Sequence, residues 1–130
     1  MTDFEKLAND CQKYFKSNGM DEEYSIRAGK LLACCIAYRL SPQVTSIFRS
    51  AAQQKELIAA YKAGAKNVYT PLPVGKSLHG NTTWWGSPAS LAFDMVVNNT
   101  AYSSYFAKLY GITWGGPRDP VHYGARGGQL

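Results

Sequence analysis

Leu91-Ala92-Phe93-Asp94-Met95-Val96-Val97 is the stretch on which the fold turns. A short apolar run of this kind reads as a strand. Period two then puts Ala92, Asp94 and Val96 on one face. A carboxylate buried inside such a strand needs a cation or several hydrogen bonds. The other reading leaves Asp94 at a strand edge facing water, against the apolar character of its neighbours.

Working outward, Ala101 to Tyr110 reads as a helix with Gly111 as its C-terminal stop. Ile112 to Trp114 is a short strand, Gly115-Gly116-Pro117 a turn and Val121 to Tyr123 a last strand. Gly124 opens a glycine-rich end that reads as loose. On the N-terminal side of Leu91, a long irregular region begins at Pro71 and runs through Gly75, Gly80, Trp84-Trp85-Gly86 and Pro88. Before it, Ser50 to Ala63 is a helix closed by Gly64. Val44 to Phe48 is a strand, with Val44, Ser46 and Phe48 on one side and Thr45 and Ile47 on the other.

Two helices lead the chain. Residues 2–17 start at Thr2 with Glu5 three residues on, a capping-box pattern, and carry Phe4, Leu7, Cys11, Tyr14 and Phe15 at helical spacing. Residues 21–39 start with Asp21, Glu22 and Glu23, where the helix dipole favours acids. Their apolar face is Ile26, Leu31, Leu32, Cys35, Ile36 and Leu40, and Ser41-Pro42 stops them. The expected organisation is one domain over 1–130: N-terminal helices over 1–40, a core over 41–124 and a loose tail over 125–130.

Hydrophobic residues make up 45% of the chain and charged residues 18%, which excludes a disordered polyelectrolyte. The net charge of +5 is uneven. Residues 1–23 hold six acids against three lysines, so the remaining 107 residues carry +8. A basic body suits an anionic partner such as nucleic acid, a membrane surface or a cell wall. Polar residues follow Met1 with no secretory-leader pattern, and the apolar run Leu31 to Tyr38 is too short to span a bilayer. The expectation is synthesis in a cytoplasm without stable membrane insertion. Cys11, Cys34 and Cys35 form no C-x-x-C pair, which argues against a cysteine zinc site and for free thiols packed as small apolar groups.

The residues able to do chemistry are few. Between Tyr24 and Leu130 the only side-chain carboxylates are Glu56, Asp94 and Asp119, and the chain has two histidines, His79 and His122. His79, in Ser77-Leu78-His79-Gly80, is either a ligand or a solvated loop residue. In Asp119-Pro120-Val121-His122 the proline holds Asp119 extended. Residues three apart in a strict strand face opposite ways, so Asp119 is expected on a bend that turns its carboxylate toward the imidazole. The alternative is a structural Asp–His pair. Two histidines and one aspartate make a zinc ligand set with the fourth position left to water. A second carboxylate, Asp119, can act as general base. Arg49, at the end of a short strand, is a candidate cation for the developing oxyanion.

The ordered set Ser77-Leu78-His79, Ala92-Phe93-Asp94, Trp114-Gly115-Gly116 and Asp119-Pro120-Val121-His122-Tyr123 resembles the signature of the VanY-like zinc metallopeptidases (peptidase family M15). This family includes the L-alanyl-D-glutamate endopeptidases of phage endolysins and the D-Ala-D-Ala peptidases. Phe48-Arg49-Ser50 with Gln54 and Gly64 resembles the family's arginine-bearing segment. The resemblance covers roughly residues 30–124. It implies an α+β fold, a small antiparallel sheet packed against helices as in the D-Ala-D-Ala peptidase/Hedgehog-like fold. It implies Zn2+ held by His79, Asp94 and His122, with Asp119 as base and Arg49 near the substrate carbonyl. An aspartate three residues before the last histidine resembles the endopeptidases more than the carboxypeptidases. The implied partner is the stem peptide of bacterial peptidoglycan, reached through a holin or from a virion. The implied chain is a monomer that takes no nucleic acid.

The chain departs from the family pattern in a longer step from His79 to Asp94, which contains Trp84 and Trp85, and in a shorter stretch before Asp119. The two tryptophans are expected either as a flap over substrate, together with Ser77, or as cover for the sheet end. Three rival readings remain: a D-Ala-D-Ala carboxypeptidase, a non-catalytic wall-binding or virion module, and a nucleic-acid binder that uses the basic surface. A Cys34–His122 or Ser77–His122 hydrolase lacks any nucleophile-elbow pattern.

Overall fold

The computed structural model describes residues 1–47, 56, 58–60, 62–64 and 90–125. These residues are α+β. Helices α1 (Asp3–Ser17), α2 (Glu22–Ala37) and α3 (Thr100–Leu109) accompany strands β1 (Gln43–Ser46), β2 (Ala92–Val96), β3 (Thr113–Trp114) and β4 (His122–Gly124). The strands form one sheet in the order β1-β2-β4-β3, antiparallel at each pairing. The expected helix at Ser50–Ala63 falls largely outside the described residues. Of its length, Glu56, 58–60 and Lys62 are helical, and Gly64 follows with φ +85°.

Short polar side chains set the helix starts. Thr2 Oγ1 accepts from Glu5 N at 3.1 Å, Asp21 Oδ2 from Tyr24 N at 2.9 Å, and Asn99 Oδ1 from Tyr102 N at 3.2 Å. Each satisfies an amide that the first turn leaves unpaired. Asp21 is therefore a buried cap rather than a first-turn acid. The helix ends differ. Arg39 and Ser41 both take positive φ, and this turn is pinned to Asn98, whose backbone N donates to Leu40 O at 2.9 Å.

The core lies between the helices and one face of the sheet. Phe15 packs on Phe93 with ring centroids 4.7 Å apart, and Phe93 stacks on Tyr123 at 5.5 Å. The hydroxyl of buried Tyr123 pairs with Ser103 Oγ at 2.7 Å, which ties β4 to α3. Gly29 lets α1 and α2 approach closely, since a Cβ there would stand 2.7 Å from Gln12 N and 2.9 Å from Ala8 O. The apolar helix faces are narrower than their periodicity suggests. Cys11, Phe15, Leu31, Leu32, Cys35 and Leu40 are buried, but Phe4, Tyr14, Ile26 and Ile36 are exposed.

Three further details correct the sequence reading. Period-two alternation fails in β1, because the register shifts between Val44, opposite Met95, and Ser46, opposite Asp94. The extra residue of this bulge sends Ser46 to the side of the sheet opposite Val44. The glycine-rich end does not begin loosely. Gly124 is buried in β4, and Ala125 N donates to Leu91 O at 2.9 Å. The link between α1 and α2 also joins the sheet region through a parallel bridge, Met20 with Ser90, that no local pattern announced.

Candidate functional site

Register brings the chemistry together. Asp94 on β2 stands directly opposite His122 on β4, and Ser46 on β1 stands opposite Asp94 from the other side. Directly opposed residues of an antiparallel pair share a face. Gly115 N donates to His122 O at 2.8 Å. A row Ser46, Asp94, His122, Gly115 thus crosses the sheet, on the face opposite Phe93 and Tyr123. Asp94 is therefore no strand-edge residue in water. It is 9% exposed, His122 is fully buried, and β2 lies between two partner strands.

His122 Nδ1 and Asp94 Oδ1 are 3.9 Å apart. That exceeds hydrogen-bond length, so these two atoms stand side by side without the hydrogen bond that joins the Asp–His unit of a nucleophile triad. Two glycines make room around the imidazole. A Cβ on Gly124 would stand 2.9 Å from His122 Nε2 and 2.9 Å from Ala92 Cβ. A Cβ on Gly115 would stand 3.0 Å from both the Asp119 and His122 β-carbons and would collide with Asp119 O.

Asp119 sits on a bend before β4, flanking the same glycine as His122. Its N donates to Gly116 O at 3.1 Å, and its O accepts from His122 N at 3.1 Å. The indole N–H of Trp114 donates to Pro120 O at 2.7 Å and anchors the loop across its mouth. Gly116, with φ +79°, supplies the left-handed turn that a side chain would resist. Asp94 Oδ1, Asp119 Oδ1 and both ring nitrogens of His122 are shielded from solvent.

Among the residues expected at a site, Asp94, His122 and Asp119 are thus brought together. Arg49, Ser77, His79, Trp84 and Trp85 lie outside the described residues. Among the described residues no group of three or more His, Cys, Asp or Glu side chains converges as a metal site. Asp94 and His122 nonetheless offer two donor types that zinc accepts, while His79, the third expected ligand, lies outside the described residues. An imidazole and a carboxylate are both zinc donors, and their polar atoms lie together in a buried place where a glycine leaves space for the ring.

Elsewhere the chemistry is poorer. The cysteines are free and buried. Burial pushes the Cys11 thiol up to about 11, with Asp10 adding to it, and the Cys35 thiol up to about 12, with Cys34 adding. Neither is a thiolate nucleophile at neutral pH. Cys34 Sγ lies 3.3 Å from the Tyr110 hydroxyl, so its polar neighbour is a phenol. The surface hollow of about 330 Å³ between α1, α2 and β1 is lined by Asp10, Cys11, Tyr14, Leu32, Ile36, Pro42 and Val44, where the one carboxylate, Asp10, raises the Cys11 thiol further and so does not activate it. Geometry, not cavity size, points to the sheet row.

Sequence reasoning missed Ser46 and Gly124. A glycine inside a strand is a sign of close backbone approach, but Gly124 falls inside a strand only by its pairing in β4. No family model matches this chain, and no curated protein matches it either.

Proposed function

We propose that this chain is a zinc-dependent peptidase of bacterial peptidoglycan that cuts the L-alanyl-D-glutamate bond of the stem peptide. The observation that carries the reading is the buried pairing of Asp94 with His122 across β2 and β4, with Asp119 on the bend beside them. The ordered His, Asp, Asp, His motif supports it from the sequence. The α+β core is proposed to be of the D-Ala-D-Ala peptidase/Hedgehog-like type.

In this reading His79, Asp94 and His122 hold the zinc. Bound zinc supplies Lewis acidity toward the scissile carbonyl. Asp94 and His122 need little reorganisation, because strand pairing fixes both backbones. Asp119 takes the proton of the attacking water at its carboxylate and returns it to the departing amine. Arg49 stabilises the negative charge that grows on the carbonyl oxygen. Ser77, Trp84 and Trp85 contact the substrate. The enzyme reaches the wall after release through a holin or as part of a virion, and it works as a monomer.

Metal content and turnover of single variants test this. Asp119→Ala is expected to keep one zinc per chain and to lose turnover by roughly 10²–10⁴-fold. His122→Ala and Asp94→Ala are expected to lose tight zinc binding. Wild-type zinc content in both of the latter would remove the metal centre, and undiminished turnover in Asp119→Ala would remove the base.

A further inference from the structure

Exposed rings gather where α3 meets the end of α2. Tyr102, Tyr105 and Leu109 follow one another at helical spacing on α3 and are 55%, 58% and 58% exposed, while Tyr38, which ends α2, is 64% exposed. Two of these rings are held in place. Phe106, itself buried, has its ring centroid 4.8 Å from that of Tyr38 and 5.9 Å from that of Tyr105. Contiguous exposed apolar area of this kind marks an interaction surface more often than scattered single residues do.

The charge around the rings narrows the partner. Arg39 is the only charged residue between Leu31 and Ser46, and Lys108 the only one between Met95 and Pro117. Both are exposed. The face therefore offers aromatic planes, phenolic hydroxyls and two cations, with no carboxylate in either segment.

We propose that Tyr38 and Tyr105, both steadied by Phe106, form with Tyr102 a stacking platform for the sugar rings of a carboxylate-bearing glycan strand. The C–H face of a pyranose is apolar and slightly electropositive, which suits the negative face of a tyrosine ring. Sugar hydroxyls bond to the phenols, and Arg39 and Lys108 meet sparse carboxylates. A nucleic acid also stacks, but it brings a phosphate with every nucleotide, and two cations neutralise few of them. An anionic membrane surface calls for a denser basic cluster than this pair. The choice of glycan rests on the cell-wall reading and deepens it. α3 packs against β3, which pairs with the His122-bearing β4, so platform and site share one structural unit.

The test titrates peptide-free glycan strands, prepared from purified sacculi, into the isotope-labelled full chain and follows backbone amide resonances. The expected shifts centre on Tyr38 to Arg39 and Tyr102 to Leu109. The double variant Tyr38→Ala/Tyr105→Ala should bind roughly tenfold or more weakly, and Tyr105→Phe, which keeps the ring and loses one hydroxyl, should fall between it and wild type. Both variants should cleave soluble stem peptide at the wild-type rate. Absent shifts, shifts elsewhere, or wild-type affinity in the double variant would overturn the platform. So would tighter binding of single-stranded DNA or anionic vesicles that the same double variant abolishes. Glycan binding without peptide cleavage sinks only the peptidase reading, and cleavage of soluble peptide without glycan binding sinks only the platform.

Discussion

At the scale of single residues, the candidate site depends on what glycines lack. His122 fits into β4 because Gly124, two positions on, has no Cβ to meet its Nε2. Gly124→Ala is therefore expected to displace the imidazole and weaken zinc binding by roughly 10- to 100-fold, the range of changes that disturb a ligand's support. Zinc competition against a chromogenic chelator measures it, and unchanged affinity would show that the imidazole has room to spare. Asp94 and His122 were legible in the sequence because so few carboxylates and imidazoles exist beyond Tyr24. Gly124 was not. A glycine near other glycines reads as a loose end, and its tight contact belongs to the fold. The side-chain placements of His79 and Arg49 lie outside the described residues.

Elements were readable where local chemistry decides them. Thr2 with Glu5 announced the start of α1, and the short apolar run Leu91 to Val97 announced β2. They were less readable where a neighbour decides. The β1 bulge exists because β2 imposes a register that sets Ser46 against Asp94, and nothing in Gln43 to Ser46 alone states it. Gly29 is a similar case, a helix-interior glycine explained only by the approach of α1. Gly29→Ala gains about 1 kcal/mol of helix propensity. Against that, its Cβ would press on the backbone of α1, and overpacking of this kind costs about 1–3 kcal/mol. Since backbone at 2.7 Å cannot turn aside as a side chain does, the net expectation is destabilisation. A lower urea midpoint for Gly29→Ala would bear this out, and a higher one would mean the helices separate at little cost.

For the molecule as a whole, one apolar core links helices and sheet and also governs the response to alkali. Burial raises the Cys11 and Cys35 thiols from 9.0 to about 11 and about 12. The unfolded chain gives up those protons near 9.0 while the folded chain keeps them, so above that pH the unfolded state binds fewer protons. Stability from these groups is full below about pH 9 and is lost as pH rises toward the folded values. The urea midpoint should fall between about pH 9 and about pH 12, and less steeply in Cys35→Ala; a flat midpoint would contradict the burial of the thiols. Among the described residues no helix is long and apolar enough to cross a membrane. The uneven charge, with +8 carried beyond residue 23, suits attraction to an anionic partner. The most direct measurement is mass spectrometry of purified peptidoglycan fragments incubated with the zinc-loaded chain, with and without chelator. Products ending at L-Ala that disappear with chelator are expected. Intact stem peptides despite bound zinc, or the same products in the presence of chelator, would contradict a zinc-dependent L-alanyl-D-glutamate peptidase.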